Sequence, residues 1–346
     1  MDALAPGGAL PKLARAGEPD KGADAGEPSG ASRYRGAMTS KDATAAGSAQ
    51  GSADLESSAE ASDAAARAAW SAPARPLRVA VAQLAPTADA AANRARLVQL
   101  AERAAESGAR LLVAPEYASF FDGAPSATAA AAAEPLDGPF VSGLRETASR
   151  LGIAIAAGLV ERAGDAGRFR NAIVVASPEG ELAAVYRKVH LYDAFGARES
   201  EFVEAGDAAE EPVCFELDGV RIGIQTCYDL RFPESTRRLA AAGAELVLVP
   251  AQWVPGPLKE HHWTTLLAAR AIESTVAVAA ADHPAPKGVG LSRIVGPDGV
   301  LMAGLGAGEG LATADVDPEA IRAVRRSNPS LAARRYSVIP REDSGR

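Results

Sequence analysis

From Leu77 onward the chain alternates continuously apolar runs with segments of helical spacing, and no other feature constrains its fold as strongly. Runs such as LRVAVAQL (77–84) and ARLLVAPE (109–116) carry no polar face, so as strands they must be covered on both sides. Between them, Asp89 to Ser107 sets Leu97, Leu100 and Ala104 on one side of a helix. The pattern then recurs. Phe140 to Arg150 reads as a helix, IAIAAGLVER as a strand, and NAIVVAS with ELAAVYRKV as a hairpin about Pro178, Glu179 and Gly180. PVCFEL and VRIGIQTCYDL flank Asp218-Gly219, the strongest short hairpin signal in the chain. Pro233 opens a helix that stops by Gly243; ELVLVPA is a strand, Lys259 to Ser274 a helix and TVAVAAA a strand. A last hairpin about Pro297-Asp298-Gly299 leads to the strand LATADVD and a short helix from Pro318. Each half thus runs strand, helix, strand ending in Ala-Pro or Val-Pro, helix and hairpin, which hints at two similar layers packed together. The fold class expected is α/β, with the sheets sandwiched.

Upstream of Leu77 the composition changes abruptly. Residues 1–76 contain no Ile and no Val, and Ala, Gly, Ser, Pro, Asp and Glu dominate. Such a stretch cannot bury enough apolar surface to offset the entropy of ordering, so residues 1–75 are expected to be a disordered leader, read as an inert tail or the product of a misplaced start codon in preference to a partner-binding segment. The N-terminus lacks the apolar core of a secretory signal and is too acidic for a typical transit peptide. No apolar run is long enough to span a membrane, the alanine run Ala127 to Ala133 included. With 36 Lys plus Arg against 44 Asp plus Glu, the net charge of -8 argues against nucleic acid or an anionic membrane as partner. Two cysteines, Cys214 and Cys227, are too few for a secreted disulfide framework, and a reducing cytoplasm is expected. Four His residues and no Cys-x-x-Cys pair argue against a structural zinc site. His261 and His262, adjacent on one helix, would point in different directions and are poor joint ligands for a metal.

Polar side chains at the ends of buried strands project from a rigid scaffold, and three such ends carry chemically useful groups. Glu116 follows LLVAP; alone it reads equally well as a surface glutamate. Lys188, in VYRKVHLYD, ends a hairpin strand and alone reads as a solvated edge residue. Cys227, in IGIQTCYDLRFPE, stands where an apolar strand yields to a polar turn and then a helix. The N–H groups of that turn would lower the thiol pKa and could hold a developing oxyanion. Cys214, between apolar neighbours in VCFEL, reads instead as a small buried hydrophobe. Together a thiol, a carboxylate base and an ammonium make a complete set for attack on a carbonyl.

At these motifs the sequence resembles the nitrilase (carbon-nitrogen hydrolase) superfamily: APEY around Glu116, YRKVHLYD around Lys188, RESEF with Glu199, QTCYDLRFPE around Cys227, then PAQW and HWTTLLAARAIES. CYDLRFPE is most similar to the amidase branch with the omega-amidases and deaminated glutathione amidases. The resemblance covers about residues 77–325; with the change of composition it divides the chain into the leader over 1–75, a hydrolase domain over 76–326 and a C-terminal tail over 327–346. It implies a four-layer α-β-β-α sandwich, homodimeric or larger, without metal or organic cofactor, acting on a small-molecule amide. It further implies that Cys227 attacks the carbonyl, Glu116 handles the protons, Lys188 and the Tyr228 N–H stabilise the oxyanion, and Glu199 orients the lysine. N-carbamoyl or nitrile hydrolysis would use the same side chains. Other classes remain: a Cys-His protease pairing Cys227 with His190 or His283, and a non-catalytic small-molecule binder. Tyr117, Tyr192 and Trp253 are candidate pocket walls. Arg231 is a candidate fork for a substrate carboxylate, or else the partner of Glu234. Ser274 and Gly290-Leu291 depart from the family pattern at positions expected near the pocket walls.

Overall fold

The computed structural model describes residues 75–165 and 167–341. All but the last residue of the expected leader lies outside them, and the expected C-terminal tail is described as far as Arg341. Strand β1 (Leu77–Gln83) is followed by α1 (Ala90–Glu106), β2 (Leu111–Val113), the short α2 (Ala127–Ala131), α3 (Pro139–Leu151), β3 (Ala154–Arg162), β4 (Phe169–Ala176) and β5 (Leu182–Arg187). The second half comprises β6 (Cys214–Leu217), β7 (Val220–Ile224), α4 (Pro233–Ala241), β8 (Leu246–Pro250), α5 (Lys259–Ser274) and β9 (Ala277–Ala281). The chain continues through β10 (Arg293–Val295), β11 (Leu301–Gly304), β12 (Gly310–Val316) and α6 (Pro318–Ser327).

Local chemistry sets these boundaries. The Asp89 carboxylate accepts from Ala92 N at 2.9 Å to cap α1, and Pro233 and Pro318 occupy the first turns of α4 and α6. Asp218 and Gly219, at φ 50° and 79°, make the β6–β7 turn in the left-handed geometry that matches strand twist.

The strands form two six-stranded sheets, ordered β12-β1-β2-β3-β4-β5 and β11-β10-β9-β8-β7-β6. In each, three neighbouring strands are parallel, β1-β2-β3 in the first and β7-β8-β9 in the second. The remaining pairings are antiparallel. The two halves of the chain are therefore built alike, as their shared order of elements suggested. Alternate strand residues face opposite ways. Val79, Val81, Leu111, Val113, Ile222, Ile224, Leu246 and Leu248 meet in the core between the sheets. Ala80, Ala82, Leu112 and Ile155 pack outward against Leu97, Ala101, Phe140 and Leu144 of α1 and α3. Val247, Val249 and Val278 do the same against Leu239, Trp263 and Leu267 of α4 and α5. The result is a four-layer α-β-β-α sandwich. Among the described residues no helix is long and apolar enough to cross a membrane.

Candidate active site

The parallel strands of both sheets deliver their ends to one cavity of about 500 Å³. Glu116 follows β2, Lys188 follows β5, Glu199 opens a 3-10 turn (Glu199–Glu201), and Cys227 opens another (Cys227–Arg231) beyond β7. All four line the cavity together with Tyr117, Tyr192, Tyr228, Arg231 and Trp253. The four candidate catalytic residues and the five candidate binding residues named in the sequence are thus brought to one cavity.

Backbone packing explains how Glu116 is held. A Cβ at Gly158 of β3 would lie 2.3 Å from Tyr117 N and 2.6 Å from the Glu116 carbonyl carbon, so only glycine lets this segment lie against the strand. Tyr117 and Cys227 adopt left-handed φ of 58° and 45°. For residues with a Cβ this costs on the order of 1–3 kcal/mol each and is characteristic of functional sites.

Lys188 is buried and lies 2.9 Å from both Glu116 Oε1 and Glu199 Oε2. Asn171 Nδ2 donates to the Oε1 atoms of Glu116 and Glu199 at 2.6 and 3.1 Å. Gln252 N donates to Glu116 Oε2 at 2.6 Å. Glu199 also accepts from Tyr117 Oη at 2.7 Å and from Tyr192 N at 2.6 Å. Two buried carboxylates therefore share one ammonium and a set of neutral donors, which is how a net negative cluster survives without water.

The electrostatics follow from burial. Burial pushes the Glu116 carboxyl up, with Lys188 opposing and Glu199 reinforcing the shift. For Lys188 burial disfavours the ammonium, but Glu116 and Glu199 together outweigh it and hold the lysine charged well above its usual range. The Cys227 thiol is pushed well up by burial and then by Glu116, against the pull of Lys188. The turn was expected to lower this pKa. In the folded chain, desolvation and the neighbouring carboxylate prevail, so the resting group is a thiol beside a carboxylate of raised basicity. Such a pair can pass a proton when an electrophile arrives.

Three further expectations are corrected. Cys214 begins β6 half-buried near Arg221, not enclosed in mid-strand. Neither Ser274 nor Gly290-Leu291 lines the cavity: Ser274 is buried in α5, and Leu291 packs behind it, its carbonyl accepting from Trp263 Nε1 at 3.2 Å. Arg231 forms no ion pair with Glu234 among the described residues. Its guanidinium carbon lies 4.8 Å from the Trp253 ring centroid, Nη2 is 3.4 Å from His262 Nδ1, and its buried Nε has no partner.

The histidines proposed as partners of Cys227 are engaged elsewhere. His190 Nδ1 lies 2.7 Å from Asp229 Oδ1, and His283 Nε2 donates to the Glu116 carbonyl at 2.7 Å. Burial lowers His283 to about 4, so it is neutral and its proton sits on Nε2. Cys227 Sγ instead faces Gln252 O at 3.5 Å.

Sequence reasoning missed Asn171, Gln252 and Lys259. Asn171 left a signal, as the one polar residue in NAIVVA. Gln252 acts through its backbone, which no side-chain pattern reveals. Lys259, at the start of α5, donates to Tyr192 Oη at 2.9 Å, and its Nζ lies 4.1 Å from the Phe195 ring centroid.

Comparison with known proteins gives a consistent result. A family model described as carbon-nitrogen hydrolase matches residues 78–326. The deaminated glutathione amidase of Escherichia coli O157:H7 is 39% identical over 259 residues, covering 75% of this chain and 97% of its own. That of Rattus norvegicus is 34% identical over 273 residues, covering 74% and 82%. Among solved structures, the C. elegans NitFhit protein matches with a TM-score of 0.70 at 28% identity, covering 76% of this chain and 66% of that one. A mutant of the amidase from Nesterenkonia sp. AN1 matches with a TM-score of 0.63 at 31% identity, covering 75% and 95%. In that structure the acetamide moiety of fluoroacetamide is added covalently at the active site cysteine.

Proposed function

The chain belongs to the carbon-nitrogen hydrolase family, and we propose that it is an amidase that releases ammonia from small linear carboxamides through a thioester on Cys227. The observation that carries this reading is the shared burial of a thiol, two carboxylates and one ammonium in a single cavity, with Lys188 Nζ 2.9 Å from Glu116. Cys227 Sγ attacks the amide carbon while Glu116 takes the thiol proton. Lys188 faces the oxygen that gains negative charge, and Glu199 holds the lysine in place. Collapse of the tetrahedral intermediate breaks the C–N bond, and Glu116 returns the proton to the departing nitrogen. Water, deprotonated by Glu116, then attacks the thioester; the C–S bond breaks, the thiol is reprotonated and a carboxylic acid leaves. The acetamide moiety added covalently at the cysteine of the Nesterenkonia amidase mutant supports the cysteine as the nucleophile.

The remaining lining selects for charge. Arg198, Arg231, Lys259 and Lys287 also border the cavity, whereas Glu116 and Glu199 are the acids among its described lining residues. Burial and then the charge of Arg231 lower the pKa of Lys259, against an opposing contribution from Cys227, as expected where cations crowd one half-buried wall. The preferred amides therefore carry a carboxylate, received by Arg231. A charge-assisted hydrogen bond contributes about 1.5–3 kcal/mol. Arg231→Ala should accordingly raise KM for a carboxylate-bearing amide about 10- to 150-fold and leave a neutral amide of equal length nearly unaffected. Equal effects on both amides would remove Arg231 from substrate recognition.

The direct test is intact-protein mass spectrometry after incubation with fluoroacetamide and with a panel of amides, N-carbamoyl compounds and nitriles, alongside ammonia release. An acyl-sized adduct mapping to Cys227 with the amides is the expected result. An adduct on Cys214, or turnover of the nitriles or N-carbamoyl compounds alone, would overturn the reading.

A further inference from the structure

One buried carboxylate outside the chemistry above ties the Lys188 segment to the Cys227 turn. Asp229 is fully buried and accepts four hydrogen bonds. Its Oδ2 receives Thr226 N at 3.0 Å and Tyr186 Oη at 2.6 Å. Its Oδ1 receives His190 N at 3.1 Å and lies 2.7 Å from His190 Nδ1. Tyr186 and His190 flank Lys188 symmetrically, two residues before and two after it, while Thr226 and Asp229 flank Cys227. The Phe232 ring stacks on His190 at 3.8 Å between centroids and 10° between planes, fixing the imidazole from the other side.

Capping the Cys227 turn requires only one of these contacts, the bond to Thr226 N. The other three reach from the second sheet to the end of β5 and the loop beyond it, where the turn itself has no need of them. Cys227 is held at φ 45°, a conformation that persists only where its surroundings over-determine it. Thr226 Oγ1, bonded to Pro250 O at 2.7 Å, anchors the turn to β8, and Asp229 anchors it to the segment that carries the lysine, through Tyr186 and His190.

We propose that Asp229 is a positioning residue that sets the place of the Cys227 thiol relative to the Lys188 ammonium, with Tyr186 and His190 as its two grips on the lysine segment. This rests on the reading of Cys227 as nucleophile and Lys188 as oxyanion donor. Misplacing reacting groups by about 1 Å can cost a hundredfold in rate without altering substrate affinity.

The test compares Tyr186→Phe, Asp229→Asn and the double variant, with kcat expressed per Cys227 that iodoacetamide alkylates on exhaustive incubation, the adduct being mapped to Cys227 by mass spectrometry. Tyr186→Phe should lower kcat about tenfold with KM within twofold and little change in Tm. Asp229→Asn should lower it about a hundredfold or more, and adding Tyr186→Phe to it should cause no further loss, because both act through one carboxylate. A residue serving only stability would reduce Tm and the yield of alkylatable protein but leave kcat per thiol intact. That outcome, or losses that multiply in the double variant, would overturn the proposal. Should Asp229→Asn fail to fold, Tyr186→Phe, which removes one hydroxyl and no carbon, decides alone. Cys227→Ala separates the two levels: activity retained there defeats the nucleophile itself, whereas an inactive Cys227→Ala beside an unchanged Tyr186→Phe defeats only the positioning role.

Discussion

Cys227→Ala is expected to reduce ammonia release about a million-fold, the scale on which removal of the nucleophile acts in hydrolases that work through a catalytic triad. No other group at the floor of the cavity can replace it. Lys188 is held charged and shared by two carboxylates, and an ammonium has no lone pair to attack with. His283 donates to the Glu116 carbonyl and His190 lies against Asp229. The fold should survive the change. Sγ is held by a long hydrogen bond to Gln252 O and by the Glu116 carboxyl beside it, and the left-handed turn is held by Thr226 and Asp229. Loss of one buried sulfur therefore costs on the order of 1 kcal/mol. Cys214→Ala is the matched control. That residue is half-buried at the start of the edge strand β6, and its loss should leave turnover intact. Ammonia release and Tm of the two variants check both statements, and turnover above a few per cent in Cys227→Ala would show that the sulfur is not the attacking atom.

That Cys227 and not Cys214 would stand at the cavity was legible in the sequence because the two strands end differently. VRIGIQTCYDL passes from apolar to polar at the cysteine, while VCFEL does not. The doubled architecture was legible for a related reason: continuous apolar runs demand cover on both faces, and the order of elements repeats. The thiol pKa was misjudged because a local sequence shows the turn but not the partner. The carboxylate beside the sulfur comes from a different sheet, 111 positions earlier in the chain, as 227 minus 116. Arg231 was similarly open, since its spacing to Glu234 is as suitable as its place beside Cys227. Only packing shows the guanidinium against Trp253, with a buried N–H left over. Asn171 and the Gln252 amide lie beyond such reasoning for another reason: they serve the carboxylates, and a serving group is recognised only once the group it serves has been located.

Lys188→Met tests the charge balance on which the site depends, and its effect should reach stability as well as rate. The substitution keeps most of the apolar stem and removes the ammonium that Glu116 and Glu199 share. Removing one member of a buried ion pair typically costs about 3–5 kcal/mol, because the remaining charge has no water to turn to. Asn171 and Tyr117 still donate to the carboxylates but bring no compensating charge. At least one carboxyl then retains its proton in the folded state well above the ordinary glutamate value of 4.5. The sign follows from linkage. Between the unfolded and folded pKa values the native state binds more protons than the unfolded chain, so the stability of the variant falls as pH rises through that window. Tm of Lys188→Met should therefore be closer to that of the parent near pH 5 than near pH 8. Turnover should fall by more than the hundred- to thousandfold typical of a lost oxyanion donor, since a protonated Glu116 is also lost as a base. A variant that keeps its rate would remove Lys188 from the reaction, and one whose Tm rises with pH would contradict the account of two buried carboxylates held by a single cation.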